Sequence, residues 1–363
     1  MSTTYQAPDQ DTVVSLENIS VEFELESGSW NPFAKGETVG AVENVSLTIP
    51  ENEVIAIVGE SGCGKTTLGK TAIGLQKPTS GSVTIRGQDI WKAKQRFSDP
   101  DIPYSEIRKS LQIIHQDPGS SLNPNRTVRA ILHEPLKKHE PDMGYEDRSA
   151  RIHGFTERVG LTPTHDYLSR YPHQLSGGEK QRIALVRALL MNPDLILADE
   201  AVSALDVSLR VEMMDLMLEL QDVFNTSFLF ISHDLSNARY IAENSGGRLV
   251  IMYLGEIVEI GDASAIIQNP KHPYTKALRW ATPSLSEVGT ETGDHPLRRV
   301  DIPDPVNPPT GCRFHTRCPE AREICVQESP SLSDDERQQV ACFREFDDHG
   351  YWESHPLENE DDL

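Results

Sequence analysis

A nine-residue stretch, GESGCGKTT from Gly59 to Thr67, constrains the fold of this chain more than any other feature. It follows the apolar segment EVIAIVG, which is typical of a buried strand, and precedes TTLGKTAIGL, for which we predict a helix that begins at Lys65. The pattern G-x-x-x-x-G-K-[ST] between a strand and a helix is typical of a loop that surrounds phosphate groups. Its glycines let the backbone turn tightly and direct N–H groups inward, and the helix N-terminus adds a positive partial charge. We expect Lys65 to reach the β- and γ-phosphates and the Thr66 hydroxyl to bind Mg²⁺.

The whole loop is expected to contact the nucleotide. The predicted contact residues are Gly59, Glu60, Ser61, Gly62, Cys63, Gly64, Lys65, Thr66 and Thr67. We interpret Cys63 as a small residue that fits the loop rather than as a reactive thiol.

A second apolar segment, LILADE, ends in Asp199 and Glu200. Ligands of α/β proteins bind at the carboxyl ends of strands, so both side chains are expected near the phosphate loop. We predict that Asp199 holds Mg²⁺, directly or through water, and that Glu200 orients or deprotonates the attacking water. Two acids after an apolar strand are a weak signal alone and a strong one beside the phosphate loop.

The segment LSGGEKQRIALVRALL, which begins at Leu175, is typical of an amphipathic helix with a capped start. Ser176 can cap the helix, while Gly177 and Gly178 leave backbone N–H groups uncovered. One interpretation is an ordinary capped helix. The other is a second anion site, which covers a γ-phosphate held by another subunit.

Together these motifs resemble those of the ATP-binding cassette family over roughly residues 12–265. LSGGEKQR is similar to the family signature, GESGCGKTT and LILADE to its nucleotide motifs, and SALD (Ser203–Asp206) to its D-loop. The resemblance implies that Phe23 stacks on adenine, with Trp30 and Phe33 as alternatives.

The resemblance also implies a head-to-tail dimer that holds two ATP molecules between phosphate loops and opposing signature helices. Residues implied to contact ATP across this interface are Ser176, Gly177, Gly178, Glu179 and Asp206. In IIHQDP, Gln116 is implied to bind Mg²⁺ and to sense the attacking water. In ISHD, His233 is implied to contact the γ-phosphate and to steady Glu200. Loss of the γ-phosphate on hydrolysis would let the subunits separate.

Apolar strands that alternate with helices predict an α/β fold with a parallel sheet. The resemblance implies a P-loop NTPase core of the RecA-like type, with an antiparallel β subdomain and a helical signature subdomain at about 117–185. Prolines become dense from about residue 282, and the remaining cysteines follow. We therefore predict a boundary near residue 265, between an ATP-binding domain (1–265) and a small Cys-rich C-terminal extension (266–363).

Four cysteines of the extension have the spacing C-x₅-C-x₆-C-x₁₆-C: Cys312, Cys318, Cys325 and Cys342. Disulfides are disfavoured in a cytosolic ATPase, whereas four thiolates suit Zn²⁺ or an iron–sulfur cluster. The spacing does not separate these two groups, and unligated thiols are a third interpretation. The stretch DIPDPVNPPTGCRFHTRCPEAREIC resembles the extension of oligopeptide, dipeptide and nickel importer ATPases, which implies a [4Fe–4S] cluster.

The formal net charge of −22 disfavours a nucleic-acid partner, because such a surface repels phosphate backbones. The chain has 12 Lys against 22 Arg and 56 acidic residues. An acidic, Lys-poor surface stays hydrated in concentrated salt, so we hypothesise a halophilic source. The alternative is an ordinary acidic protein with an acidic tail, since residues 345–363 carry eight carboxylates and no Lys or Arg.

The N-terminus is not that of a signal peptide, and no apolar run is long enough to span a bilayer, so we predict a cytosolic chain. The resemblance implies an ATPase on the cytoplasmic face of the membrane, bound to two permease subunits and served indirectly by an extracellular solute-binding protein. NPPTGCRFH and YPHQLSGGE resemble the second ATPase of such importers, which favours a heterodimer with a paralogous ATPase over a homodimer.

Two other functions are alternatives to that of an importer ATPase. One is a cassette ATPase of DNA repair or translation, which the acidic charge and single cassette disfavour. The other is a redox or scaffold protein with structural ATP, which the intact Lys65, Glu200 and His233 disfavour. The cargo stays open among peptides, nickel, sugars and other solutes, because the selecting residues lie in other chains.

Overall fold

A computed structural model describes residues 12–24, 38–95, 99–282 and 297–357. The strands are β1 Thr12–Glu24, β2 Thr38–Pro50, β3 Val54–Val58, β4 Ser80–Ile85, β5 Gln88–Asp89, β6 Leu111–Ile114, β7 Leu195–Asp199, β8 Ser227–Ser232, β9 Arg248–Tyr253, β10 Glu256–Asp262 and β11 Gln338–Val340. The helices are α1 Lys65–Ala72, α2 Ile90–Ala93, α3 Tyr104–Ser110, α4 Pro118–Ser121, α5 Val128–His139, α6 Tyr145–Arg158, α7 Thr164–Ser169, α8 Gly177–Leu189, α9 Val207–Phe224, α10 Leu235–Ser245, α11 Ala263–Gln268, α12 Pro273–Trp280 and α13 Glu323–Gln327. Short 3₁₀ turns lie at Pro172–Gln174, Phe343–Glu345 and Gly350–Glu353.

The larger sheet has seven strands in the order β11-β10-β9-β3-β8-β7-β6. Strands β9, β3, β8, β7 and β6 run parallel, as the sequence predicts, and β10 and β11 add antiparallel at one edge. Every residue of β3, β7 and β8 is buried. Their continuous apolar sequences suit a sheet that is covered on both faces. The α/β class is therefore confirmed.

The smaller sheet is antiparallel, in the order β2-β1-β4-β5, and corresponds to the expected antiparallel subdomain. In its register Leu16 of β1 pairs with Leu47 of β2 and with Val83 of β4. These three side chains are buried in one apolar cluster with the phosphate-loop helix residue Leu68. The small sheet thereby packs on the side of the main sheet that carries α1.

The predicted helix at Lys65 is present, but it ends at Ala72 rather than continuing to Leu75. Gly74 adopts a left-handed conformation with φ of 66°, and the Leu75 amide donates to the Lys70 carbonyl at 2.8 Å. This glycine-terminated hydrogen-bond pattern is a common end of a helix.

Five helices, α4 to α8, lie between β6 and β7 and form the helical segment expected around the signature. Helix α8 buries an apolar face that includes Ile183, Leu185 and Leu189. Its start therefore projects from a core that is continuous with the main sheet.

The C-terminal extension is joined to the main sheet. In β11, Val340 pairs with Glu259 of β10. The buried Glu259 carboxylate accepts hydrogen bonds from the Lys271 amide at 2.9 Å, the His272 amide at 3.2 Å and Gln338 Nε2 at 2.6 Å. The boundary near residue 265 stays a prediction. None of the helices in the described ranges is both long enough and apolar enough to cross a bilayer.

Candidate nucleotide site and cysteine cavity

The phosphate loop joins β3 to α1 and requires glycine at two positions. A Cβ on Gly59 would overlap the carbonyl oxygen of Met252 in β9. Gly64 has a φ of 101°, and a Cβ there would overlap the carbonyl oxygen of Ala41 in β2. The loop is therefore pressed between strands of both sheets, and its backbone can take this path only without side chains.

Lys65 is directed back into the loop. Its side chain is buried, and Nζ donates to the carbonyl oxygens of Gly59 at 2.7 Å and Glu60 at 2.9 Å. These two bonds hold the ammonium group where the loop and the start of α1 converge. An ammonium and uncovered helix N–H groups are what a bound polyphosphate needs.

Two oxygen ligands meet at the ends of α1 and β7. Thr66 Oγ1 donates to Asp199 Oδ1 at 2.8 Å, and Asp199 is the last residue of its strand. Hydroxyl and carboxylate oxygens are the donors that Mg²⁺ prefers in nucleotide sites. The donor chemistry of this pair therefore fits Mg²⁺.

Glu200 follows β7 in a left-handed conformation with φ of 49°. Its amide donates to Ile231 of β8 at 3.1 Å, and its carbonyl accepts from the Ser203 hydroxyl at 2.8 Å. Its Oε2 accepts from Gln116 Nε2 at 3.0 Å and lies 3.2 Å from His233 Nδ1. The three predicted catalytic side chains thus meet at one carboxylate, and hydrogen bonds on both sides hold the strained backbone that aims it.

The signature turn is accessible. Ser176 and Gly177 are exposed, and Gly178 is half-buried. Ser176 Oγ accepts from the Glu179 amide at 3.3 Å, and Glu179 Oε2 accepts from the Ser176 amide at 2.6 Å, so the two residues cap α8 reciprocally. Burial alone would raise the pKa of Glu179, but hydrogen bonds from Ser176 and the charge of Arg170 outweigh it and lower that pKa. The start of α8 can therefore face a second subunit.

Two further predicted contact residues lie at exposed positions. Asp206 is exposed at the start of α9. Phe23, on β1, is 41% exposed and therefore free to stack on a base. The alternatives to it, Trp30 and Phe33, lie outside the described residues.

Gln181 is a residue that the sequence interpretation missed. It connects the signature helix to the segments that carry the catalytic residues. Its buried Nε2 donates to the carbonyl of His115 at 3.4 Å and to that of Ala201. These two carbonyls adjoin Gln116 and Glu200, respectively. The amide of Gln181 on an otherwise apolar face of α8 is the sequence feature that could have indicated this buried contact.

Tyr274 of α12 is a second residue that the sequence interpretation missed. Its hydroxyl accepts from the Glu60 amide at 3.0 Å, so the C-terminal extension contacts the phosphate loop. Burial raises the pKa of Tyr274 well above its usual value, which keeps the hydroxyl neutral. Its ring packs with Tyr253 and Phe314, at centroid distances of 4.8 and 5.4 Å.

The four cysteines of the extension line one cavity. Aromatic side chains also line this cavity: Phe314, Phe343 and Tyr351. All five cysteines are free thiols. Burial raises the pKa of Cys318 to about 12 and that of Cys342 to about 11, and it also raises the pKa values of Cys312 and Cys325. A bound metal would therefore have to displace protons from neutral thiols.

The cysteine cavity fits a soft metal by donor type but is not assembled as a ligand set. Within the described ranges, no three or more His, Cys, Asp or Glu side chains stand close enough together to hold an ion. The cavity is therefore lined by four thiols that do not form a metal-ligand set among the described residues.

Comparisons with known proteins match both parts of the chain. Residues 42–203 match the family described as ABC transporter, and residues 258–325 match the one described as oligopeptide/dipeptide transporter, C-terminal region. The oligopeptide transport ATP-binding protein AppF of Bacillus subtilis is 42% identical over 328 residues, which cover 90% of this chain and 95% of that protein. The dipeptide transport ATP-binding protein DppF of Escherichia coli is 39% identical over 344 residues, which cover 94% and 96%.

Solved structures agree on the cassette fold. A dimeric ATP-binding cassette in a post-hydrolysis state, bound to ADP and phosphate, aligns with a TM-score of 0.57 at 28% identity over 69% of this chain and 98% of that chain. A component of an ABC transporter complex from Clostridium perfringens aligns with a TM-score of 0.58 over 75% and 97%, although its identity is only 22%. The chain therefore belongs to the ABC transporter ATP-binding subunits, a family of ATPases, in the branch that carries the oligopeptide/dipeptide transporter C-terminal region.

Proposed function

We propose that this chain hydrolyses ATP to power the uptake of oligopeptides or dipeptides. The observation that carries the proposal is the convergence of Lys65, the Thr66–Asp199 pair and Glu200 at one end of the main sheet. The peptide cargo is supported by relatives that match nine-tenths of the chain and are named for oligopeptide and dipeptide transport.

The proposed chemistry follows from the positions of these side chains. Lys65 and the start of α1 bind the β- and γ-phosphates, and Phe23 stacks on adenine. Mg²⁺, held by Thr66 and Asp199 with Gln116 nearby, would neutralise charge on the phosphate oxygens. Glu200 accepts a proton as the water oxygen attacks the γ-phosphorus and the bond to the β–γ bridging oxygen breaks. Gln116 and His233 hold the Glu200 carboxylate toward that water.

The hydrolytic unit is proposed to be a head-to-tail dimer. Its support is the exposure of Ser176, Gly177 and Asp206, which leaves a capped helix start available to a neighbour's triphosphate. The partner is proposed to be a paralogous ATPase, with a second copy of this chain as the alternative. Each subunit then completes the other's site.

The membrane partners are proposed to be two permease subunits, which receive cargo from an extracellular solute-binding protein. The chain would lie on the cytoplasmic face of the membrane. The net charge of −22 supports the absence of a nucleic-acid partner and an adaptation to concentrated salt.

The cysteine cavity is proposed to hold a [4Fe–4S] cluster, with Zn²⁺ as the alternative. Cys312, Cys318, Cys325 and Cys342 would supply four thiolates, which is the ligand number that either group takes. The support is that four cysteines spread over 31 residues line one cavity. A bound group would cross-link and stabilise residues 297–357. This segment has little regular structure of its own, namely short 3₁₀ turns, α13 and β11.

The function is tested by uptake in vesicles that contain the complete transporter and are loaded with ATP on the side of this chain. A labelled tripeptide should accumulate with ATP and fail to accumulate with ADP. Accumulation of nickel ions or of a sugar instead would refute the peptide cargo, and ATP hydrolysis without accumulation of any of the three would refute an importer of these solute classes.

A further inference from the structure

The segment between Cys312 and Cys318 lies against the phosphate loop, although 257 residues of sequence separate Arg317 from Glu60. Arg317 Nη1 donates to Glu60 Oε2 at 2.8 Å, and Nη2 donates to Glu60 Oε1 at 3.0 Å. Two parallel bonds between a guanidinium and a carboxylate fix both distance and orientation. The Arg317 side chain is only 3% exposed, so water competes little for this pair.

The position of Arg317 is set by its own surroundings. Its Nη2 also donates to the Val300 carbonyl at 3.2 Å, and Nη1 donates to the Tyr253 hydroxyl at 3.4 Å. The guanidinium carbon lies 5.7 Å from the centre of the Tyr253 ring and 5.9 Å from that of Phe314. Contacts with the extension and with β9 therefore fix the guanidinium of Arg317, and the position of the Glu60 carboxylate depends on that of Arg317.

Glu60 transmits this contact to the nucleotide-binding lysine. The Glu60 amide donates to Tyr274, its carboxylate pairs with Arg317, and its carbonyl accepts from Lys65 Nζ at 2.9 Å. Three of these four hydrogen bonds involve the extension, two from Arg317 and one to Tyr274, and the fourth fixes the ammonium that is expected to bind phosphate. A shift of Glu60 would therefore move Lys65.

The C-terminal end of the phosphate loop is also connected to the segment between Cys312 and Cys318. Arg313 Nη1 donates to the Leu254 carbonyl, and the adjacent Gly255 amide donates to the Cys63 carbonyl at 2.9 Å. The arginine that follows Cys312 and the one that precedes Cys318 thus support the two ends of the same loop. The cysteine-bearing segment and the phosphate loop form one packed unit.

We propose that Arg317 is a positioning residue for ATP binding. Through the carboxylate of Glu60 it holds the phosphate loop in the conformation that binds ATP. The C-terminal extension thereby sets the affinity of the nucleotide site without touching nucleotide. An ion pair that merely fastened the extension to the cassette would contribute to stability and leave ATP affinity unchanged.

The test compares ATP affinity and turnover in Arg317→Gln, Arg317→Lys and Glu60→Gln, each in the full-length chain. Calorimetric titration with Mg-ATP should show a Kd about tenfold higher for Arg317→Gln, which corresponds to about 1.4 kcal/mol. The kcat at saturating ATP should stay within about twofold, because Glu200 is untouched. Arg317→Lys keeps the charge but loses the paired geometry, so its Kd should fall between those of the wild type and Arg317→Gln.

The double variant Glu60→Gln/Arg317→Gln should bind ATP no more weakly than the weaker single variant, because both changes break one interaction. Arg322→Gln is the matched control. Arg322 donates to the carbonyls of Tyr351 and Ser354 within the extension, so its loss should lower the melting temperature and leave the Kd within about twofold.

An unchanged Kd in Arg317→Gln, or a rise of equal size in Arg322→Gln, would overturn the proposal. If Arg317→Gln fails to fold, Glu60→Gln decides alone, because Glu60 is partly exposed and the new amide oxygen can still accept a hydrogen bond from the buried Arg317 guanidinium. A tenfold rise in its Kd supports the proposal, and an unchanged Kd refutes it.

Discussion

The nucleotide site and the cysteine cavity are built in opposite ways. In the nucleotide site, polar side chains already lie within hydrogen-bonding distance of one another, as Thr66 does to Asp199 and Gln116 to Glu200. In the cysteine cavity, four thiols line one cavity without forming a ligand set among the described residues. The side chains of the first site hydrogen-bond to one another, whereas a bound metal would be what joins the thiols of the second.

The difference follows from what holds each region. The phosphate loop is compressed between Met252 and Ala41 of two sheets, so the core limits the path of its backbone, and the Arg317–Glu60 pair adds a further restraint. Within its described residues the extension has one three-residue strand and short helices, so a bound metal would contribute a larger share of its stability. Loss of a nucleotide-site residue should therefore affect catalysis, and loss of a cysteine should affect stability.

The largest expected effect is on turnover. Glu200→Gln removes the group expected to accept the proton of the attacking water, so kcat should fall by about 100-fold or more while ATP still binds. Steady-state phosphate release and a separate titration with Mg-ATP measure the two quantities. Glu219→Gln, at an exposed position of α9, is the control and should retain turnover. Unchanged turnover in Glu200→Gln would favour the scaffold function with structural ATP.

The next effect concerns the metal. Cys318→Ser should abolish stoichiometric iron in anaerobically purified protein and lower the free energy of unfolding by about 2 kcal/mol or more. Visible absorbance, metal analysis and chemical denaturation measure these changes. Cys63→Ser is the matched control, since Cys63 lies in the phosphate loop rather than in the cavity, and it should retain iron. A colourless wild-type protein with one zinc would establish the alternative metal, and a metal-free wild-type protein would contradict both.

A smaller effect tests the junction between the two regions. Burial, with the charge of Lys276 second, lowers the pKa of His272 to about 3, and its Nδ1 accepts a hydrogen bond from the Tyr274 amide at 3.0 Å. Between pH 6.5 and about 3 His272 is protonated in the unfolded chain and neutral in the native state. Because of this difference, the residue lowers the free energy of unfolding as pH falls through that range, by up to about 1.4 kcal/mol per pH unit.

His272→Asn can still cap α12 and should flatten that pH dependence, as measured by denaturation between pH 7 and 5. The control is His165→Asn, whose histidine is 73% exposed and should leave the wild-type slope intact. An equal slope in His272→Asn and the wild type would show that His272 is not the group responsible.

The smallest expected effect spans both regions. If the net charge of −22 reflects adaptation to salt, the melting temperature should rise by a few degrees between low and molar KCl, since salt screens repulsion among carboxylates. Thermal unfolding in a KCl series, with a protein of near-zero charge as the control, measures the gain. A flat response would identify an ordinary acidic protein.

Sequence alone predicted most of the cassette because its signals are local. The phosphate loop depends on a continuous run in which Gly59 and Gly64 free the backbone and Lys65 begins the helix. The strand before Asp199 is likewise contained in a few apolar residues. Family membership and the α/β class, both inferred from such segments, are confirmed. The residue roles and the metal of the cysteine cavity stay predictions.

Only the tertiary structure placed the extension beside the nucleotide site. No local pattern shows that Arg317 pairs with Glu60, that Gln338 bonds to Glu259, or that β11 adds an edge strand to the main sheet. These contacts join positions separated by as many as 257 residues. A motif fixes the shape of a short segment through its own backbone, whereas the partner of a buried charge is decided by which distant surfaces the whole chain packs together.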